Sequence, residues 1–301
     1  MEENRIEINR SLCSGCGLCV SVCPTDTISL VDEKAAVTEA ESISCGHCEA
    51  VCPQKAVRVI AIDEEMSDYK TFSAEKEWLA PGKYNTSELV QLMASRRSCR
   101  SFTAQPVDRT ILEDLVKIGI TAPSGTNSQA WTFTVLLTRN AVTSLAGQVA
   151  SYYRRLNATA EKTMLRLFLK FIGKGELDAY YRGYYQKVKE ALEQWHGAGK
   201  DRLFHGSTAA IVVGSKPGAS CPAEDALLAT QNILLGAYSM GLSSCLIGFA
   251  VAAMKKDPSI QQSLGIPSEE VIHAVIALGY SDEVYQRTAG RKKVTPRYFE
   301  G

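Results

Sequence analysis

From Ser87 onward apolar side chains recur at helical spacing, with Leu89, Val90, Leu92 and Met93 forming one stripe that runs into Arg96-Arg97-Ser98-Cys99-Arg100-Ser101-Phe102. A second helix is predicted to start at Asp108 as N-cap. Val107 and Leu112 are placed as a hydrophobic staple, and Ile111, Leu115 and Val116 face inward. It should stop near Gly119, before the small, polar turn that runs from Ala122 to Trp131. Thr132–Leu137 and Ala209–Val213 read as strands, Ala226–Met240 as a helix closed by Gly241, and Cys245–Gly248 and His273–Gly279 as further strands. Helices and strands alternate throughout, which predicts a mixed α/β domain with a sheet between helices.

The first sixty residues follow another rule. Sliding the sequence by 29 residues places Cys16, Cys19, Cys23 and Pro24 on Cys45, Cys48, Cys52 and Pro53. Ile28 and Leu30 fall on Val57 and Val59, so each half should end in a short half-buried strand. A repeat this small buries little apolar surface of its own and needs bound metal to hold it together. Between repeat and body, residues 63–86 are polar and charged, punctuated by Pro81-Gly82, and read as a linker that Trp78 and Leu79 pin to the body. The expected organisation is a cysteine-rich head at 1–62, a linker at 63–86 and a body at 87–301.

Charge sharpens this division. The 33 basic and 33 acidic residues cancel over the chain, yet residues 1–80 hold 7 basic and 15 acidic side chains. An acidic head on a basic body is a poor nucleic-acid binder but suits anion binding in the body and steering of charged partners. The uncharged run Ala226–Met254 is broken by Gln231, Asn232 and several glycines and serines, so a buried helix followed by a buried strand fits it better than a membrane span. The N-terminus MEENRIEINR lacks the basic and apolar regions of a signal peptide. Seven of the ten cysteines lie between Cys13 and Cys52, clustering that points to metal rather than disulfides and to a reducing, cytoplasmic setting.

Cys13, Cys16, Cys19 and Cys23, with Pro24, follow the C-x₂-C-x₂-C-x₃-C-P spacing. Close-set thiolates on a tight loop reach several irons of one cluster, and Gly15, Gly17 and Gly46 let the backbone approach it. A zinc-ribbon reading is the alternative, although zinc knuckles lack the x₃-C-P extension. The pattern resembles that of bacterial two-cluster ferredoxins, in which the cysteine before proline ligates the other cluster. The resemblance implies one [4Fe–4S] cluster on Cys13, Cys16, Cys19 and Cys52 and a second on Cys23, Cys45 and Cys48. The fourth position of the second is Ser42. A serine alkoxide, a water or other cap, a [3Fe–4S] cluster and an absent cluster all remain open for it.

Three segments of the body carry its candidate chemistry. Arg96, Arg97, Ser98 and Arg100 place three cations and a hydroxyl just after a helix, and Arg and Lys clusters recognise phosphate. Pro123-Ser124-Gly125-Thr126-Asn127-Ser128-Gln129-Ala130-Trp131 offers small residues that let a flat ring approach, with amides to meet its polar edge. Gly290-Arg291-Lys292-Lys293 adds a basic loop. With Gly241–Phe249 and Leu278-Gly279-Tyr280, these segments in this order resemble the nitroreductase-like FMN-dependent oxidoreductases.

The family resemblance implies a homodimeric α+β fold, a mixed sheet flanked by helices and preceded by a small ferredoxin-like domain, with FMN in a cleft between subunits. It places Arg96, Arg97, Ser98 and Arg100 on the phosphate, ribityl chain and ring edge, and Ser124, Gly125 and Asn127 along the flavin. It also puts Ile247 and Gly248 near the flavin N5, with Arg291 and Lys292, or Lys293 by a one-residue slip, over the phosphate. Ala130 stands where the family often has proline.

The implied activity is an iron–sulfur flavoprotein oxidoreductase. A reduced carrier (ferredoxin or flavodoxin) or NAD(P)H supplies electrons, and a nitro compound, a quinone or another small oxidised molecule receives them. The rival is an electron-transfer subunit or redox sensor without a free substrate. An open cleft beside Ala150–Trp195 favours the enzyme and an aromatic plug the relay. No G-x-G-x-x-G, Walker loop, H-E-x-x-H or G-x-S-x-G occurs. Cys99, Cys221, Cys245, His205 and His273 read as packed side chains, and no protein group is assigned as catalytic because the flavin carries the chemistry.

Overall fold

The computed structural model describes residues 6–301; residues 1–5, where the segment read for a signal peptide begins, lie outside the described residues. The head contains β1 (Ile6–Ile8), α1 (Leu18–Ser21), β2 (Ile28–Val31), β3 (Lys34–Val37), α2 (His47–Ala50) and β4 (Val57–Val59). The 29-residue shift survives as pairing. β1 pairs antiparallel with β4, Ile6 opposite Val59, and β2 with β3, Leu30 opposite Ala35. Ile6 and Val59 shifted by 29 are Ala35 and Leu30, so each half lends one strand to the other in the same register. Ile6, Ile28, Ala35, Val57 and Val59, with Cys19 and Cys48, make the small core.

Gly17 and Gly46 cap α1 and α2 in the left-handed conformation, with φ of 73° and 76°, which a side-chain-bearing residue adopts only with strain. The same holds for Gly15 (φ 75°), where a Cβ would lie 2.1 Å from the Glu33 carbonyl oxygen.

A 3₁₀ turn at Glu64–Ser67 opens the linker. The expected pins are absent, since Trp78 and Leu79 are 84% and 59% exposed. Buried Asp114 does the work instead: its carboxylate accepts the backbone N–H groups of Lys70 and Thr71 and the Thr71 hydroxyl, at 2.6–3.0 Å. Lys117 Nζ adds bonds to the carbonyls of Glu65 and Asp68. Polar groups of Asp114 and Lys117 hold the linker, where the sequence predicts two apolar side chains.

The body begins with α3 (Thr86–Ser95), capped by Asn85, and α4 (Arg109–Gly119), capped by Asp108 through the Thr110 N–H. β5 (Trp131–Leu136) leads into α5 (Arg139–Ala160), α6 (Thr163–Phe171), α7 (Glu176–Gly183) and α8 (Tyr185–Ala198). β6 (Ala209–Ser215), α9 (Pro222–Ser239), β7 (Ser243–Leu246), α10 (Gly248–Lys256), α11 (Pro258–Ser263) and β8 (Val271–Gly279) complete it. The strand predicted at Cys245–Gly248 starts and stops earlier, because Ile247 caps α10 and Gly248 opens it.

The sheet order is β5-β6-β8-β7, each neighbour antiparallel. The parallel component is a single bridge between Ser98 and Ser244. Alternate residues of β6 and β8 point to opposite faces. Ile211, Val213, Ala274 and Ile276 pack with α4 and α9, and Ala210, Val212, Val275 and Ala277 pack with α5 and α10. Among the described residues no helix is long and apolar enough to cross a membrane. The uncharged run is α9, β7 and α10, and it is half buried rather than buried on all sides: Ala226, Ala229, Ile233, Ala237 and Cys245 face the core, while Leu227, Leu228, Tyr238 and Leu246 are exposed.

Candidate functional site

The seven head cysteines surround two cavities. One is lined by Cys13, Cys16, Cys19 and Cys52, and the other by Cys23, Cys45, Cys48 and Ser42. Ser42 thus stands with the three thiols that lack a fourth cysteine.

Backbone N–H groups point at the sulfurs with the same repeat symmetry. Thr27 N donates to Cys23 Sγ at 3.3 Å, and Ala56 N donates to Cys52 Sγ at 3.3 Å, residues related by the same shift. Ala35 N donates to Cys13 Sγ at 3.4 Å. The Ala35 N–H, with that of Gly15, holds the Cys13 thiol below its ordinary value. Burial opposes ionisation of Cys23, but Thr25 and Thr27 outweigh it and lower that thiol too. Burial raises Cys19 and pushes Cys48 up to about 11. Thiols of that kind ionise when iron supplies the compensating charge.

Among the described residues no three His, Cys, Asp or Glu side chains converge closely enough for one metal ion.

In the body, the arginine segment is fastened to the edge strand of the sheet. Ser98 bridges Ser244, and Cys99 N donates to the Ser244 carbonyl at 3.0 Å. Cys99 and Cys245 are buried, as expected of packed thiols, whereas Cys221 is exposed because it sits ahead of α9 rather than inside it. Burial raises the Cys245 thiol against the pull of Arg100 and Arg96, which places both cations by the end of β7. Burial likewise lowers His205 and His273, so both are held neutral.

The small-residue loop contains a 3₁₀ turn, Gly125–Asn127, and three non-glycine residues at positive φ: Thr126, Asn127 and Gln129, at 50°, 55° and 45°. Its anchor is a residue that sequence reasoning missed. Asp225, buried in the first turn of α9, accepts the Gly125 N–H at 2.9 Å and the Ser128 hydroxyl at 3.3 Å, and its carbonyl accepts Trp131 Nε1 at 3.1 Å. An acidic residue in the first turn of a helix is common enough to carry no signal by itself. At Gly125 a Cβ would meet Ser220 Oγ at 2.4 Å, so the loop packs flat against the start of α9. Ser124 Oγ accepts the Gln129 N–H. Asn127 turns its amide nitrogen to the head, donating to the carbonyls of Ile43 and Ser44, each at 3.0 Å.

Ile247 is buried, its N–H bonded to Val275 O at 2.8 Å, and Gly248 has open space where a Cβ would be. Arg291 and Lys292 both lie exposed near the C-terminus. Arg291 Nη1 reaches the carbonyls of Ala289 and Gly290, in an exposed tail beyond residue 280 that carries neither helix nor strand.

The region Ala150–Trp195 spans the second half of α5, all of α6 and α7, and most of α8. Buried Asp178 ties α6 to α7 through Arg166, Lys170 and Arg182, at 3.6, 3.3 and 3.0 Å. The other face of α6 leaves Met164, Phe168 and Phe171 exposed. Between α5 and α8 lies a cavity of about 360 Å³, walled by Val149, Tyr153, Val188, Leu192, Trp195 and Phe249, with Lys187 and Arg202 in its lining. Tyr153 donates its hydroxyl to the Phe249 carbonyl.

The sequence model of the Nitroreductase family matches residues 93–280, and that of the 4Fe-4S binding domain matches residues 6–29. A 4-nitrobenzoate reductase from Nocardioides sp. (strain LMS-CY) is 27% identical over 206 residues, which cover 64% of this chain and 79% of that protein. An iodotyrosine dehalogenase 1 homolog from Caenorhabditis elegans is 25% identical over 200 residues, 66% of this chain and 56% of its own. Among solved structures, an FMN-bound nitroreductase from Desulfitobacterium hafniense DCB-2 superposes with a TM-score of 0.51 at 24% identity, covering 71% of this chain and 98% of that one. One from Bacteroides fragilis NCTC 9343, also with bound FMN, gives 0.51 at 20% identity, covering 71% and 100%. The chain belongs to the nitroreductase family, an oxidoreductase whose body follows a 4Fe-4S binding domain.

Proposed function

We propose that this chain is a homodimeric iron–sulfur flavoprotein of the cytoplasm. It passes electrons from a reduced carrier or NAD(P)H, through two clusters and FMN, to a small oxidised organic acceptor such as a nitro compound or quinone. The observation that carries this reading is the pair of cavities, each ringed by the predicted cluster ligands, in a head tied to a nitroreductase body.

In this reading residues 1–62 hold the clusters, 63–86 link and 87–301 hold the flavin. Cys13, Cys16, Cys19 and Cys52 bind one cluster, and Cys23, Cys45 and Cys48 bind the other beside Ser42. Arg96, Arg97, Ser98 and Arg100 hold the phosphate and ring edge; Ser124, Gly125 and the Asn127 carboxamide oxygen line the flavin. Ile247 and Gly248 supply backbone beside it. Arg291 and Lys292 close over the phosphate. FMN supplies the redox chemistry; the protein binds, orients and shields it.

The cavity beside Phe249 supports an enzyme over a relay. It adjoins the residue after Gly248, its size suits a small organic molecule, and Lys187 and Arg202 give an acidic acceptor two cations. The test is anaerobic reduction of the purified protein with dithionite or NADH, followed by a panel of nitroaromatic, quinone and enone oxidants. Rapid multiple turnover of one class supports the enzyme. Reoxidation by protein carriers alone supports the relay, and a protein without flavin and cluster absorbance overturns both.

A further inference from the structure

We infer that Asn127 is a positioning residue that latches the Cys23–Cys45–Cys48 site, rather than its twin, against the flavin loop. The inference rests on the reading above and adds which of the two clusters exchanges electrons with the flavin.

A primary carboxamide has two N–H hydrogens. The consecutive carbonyls of Ile43 and Ser44 use both, at 3.0 Å each. Ile43 lines the second cysteine cavity together with Ser42 and Cys45. Ser44 lies between them, with φ at 51° and its N–H donating to Ser42 Oγ at 3.1 Å. Asn127 therefore grips the strand of backbone that carries both Ser42 and Cys45. It does so from a backbone conformation that side chains rarely adopt, flanked by Thr126 and Gln129 in the same condition. Asn is among the residues that tolerate that conformation best.

The head is nearly symmetric, so the other half offers the control. The residue 29 before Ser44 is Gly15, and the head's own Glu33 carbonyl lies where a Gly15 side chain would be. The turn between β2 and β3 thus covers the equivalent stretch beside Cys13 and Cys16. One of two similar faces is closed by the head itself, and the other is bonded to the loop proposed to line the flavin.

With its cofactors bound, Cys23, Cys45 and Cys48 would hold a cluster that supplies the flavin with one electron at a time, two such electrons from a reduced one-electron carrier and one proton from water balancing a two-electron reduction of FMN. The part of Asn127 would be to keep the Ser42–Cys45 stretch in place for that exchange.

Asn127→Asp keeps the size of the side chain and replaces the donor by a carboxylate facing two carbonyl oxygens. In flavin-loaded holoprotein, hydrogen exchange in residues 42–46 should rise at least about tenfold while residues 13–19 stay as in the parent. Cluster-to-flavin transfer after a dithionite pulse, scored per bound flavin, should slow by at least about tenfold, since small displacements are costly to a positioned reaction. Wild-type exchange and transfer in that variant would overturn the latch.

A second measurement works even if the variant fails to fold. Ser42→Cys marks the spectrum of one cluster. The electron paramagnetic resonance signal it alters should be the one whose relaxation changes when flavin is stripped from the parent protein. If flavin removal perturbs the other signal, the wrong cluster has been assigned. A parent protein that binds both clusters but no flavin would instead overturn the functional reading on which the inference rests.

Discussion

Gly125 donates its backbone N–H to Oδ1 of Asp225 at 2.9 Å, a bond between residues 100 apart in sequence that fixes the small-residue loop to the start of α9. The other carboxylate oxygen takes the Ser128 hydroxyl. Asp225→Ala removes both acceptors and leaves a part-buried N–H without a partner, at a cost of about 1–3 kcal/mol. Denaturant unfolding should show that loss, and the variant should retain less flavin after dialysis. Asp225→Asn keeps an acceptor for Gly125 and should be milder. Equal stability of the parent and the alanine variant would show that the carboxylate does not hold the loop.

The proposed flavin site predicts a distinctive pattern for two arginines. Each charge-assisted contact to phosphate is worth about 1.5–3 kcal/mol, so Arg96→Ala combined with Arg291→Ala should shed FMN on dialysis. A flavin cleft shared between subunits should make this loss depend on the dimer. Sedimentation at micromolar concentration should show a dimer wherever flavin is retained. Full retention of FMN by the double variant would remove the phosphate assignment, and a flavin-loaded monomer would remove the shared site.

Much of this was legible in sequence because local chemistry wrote it there. Asp108 caps α4, the β strands fall near their apolar runs, and the cysteine spacing, read with a ferredoxin pattern, sorts the ligands into the two sets that line the cavities. What escaped depends on partners distant in the chain. Asp114 sits on the helix stripe among apolar neighbours, and nothing near it announces that Lys70 and Thr71 will meet it. Trp78 and Leu79 looked like anchors on hydrophobicity alone, yet they face solvent. Asn127 was legible as a functional amide, but its nitrogen serves the head, a contact that no local pattern encodes.

The linker tether should be sensitive to acid. Burial raises the Asp114 carboxyl, but the Thr71 hydroxyl and the N–H groups of Lys70 and Thr71 outweigh it, so the folded group titrates below its ordinary value. A depressed carboxylate contributes stability above its unfolded value, about 3.9, and loses that contribution as pH falls through the folded value. Protease cleavage within residues 69–84 should therefore be slow at neutral pH and accelerate below about pH 4, using an acid-active protease. Asp114→Asn should cleave faster at neutral pH and lose most of this pH dependence. An asparagine variant with the parent profile would mean that other groups hold the linker.

Ser42 predicts unequal clusters. It completes the ring of Cys23, Cys45 and Cys48, while the twin cavity has four thiols. A serine hydroxyl is far less acidic than a thiol of about 8.5, and oxygen is a harder donor than iron–sulfur sites prefer. The cluster beside Ser42 should lose iron first in air, passing through a [3Fe–4S] signal visible by electron paramagnetic resonance. Ser42→Cys should supply the fourth thiolate and slow that loss. Cys13→Ser should transfer the lability to the other cluster, since Cys13 is the residue 29 positions before Ser42. Because Ser44 N donates to Ser42 Oγ, the hydroxyl is already oriented by its own loop, so the cysteine variant should need no rearrangement of the backbone. Two clusters of equal air stability, unmoved by Ser42→Cys, would show that another group fills the fourth position.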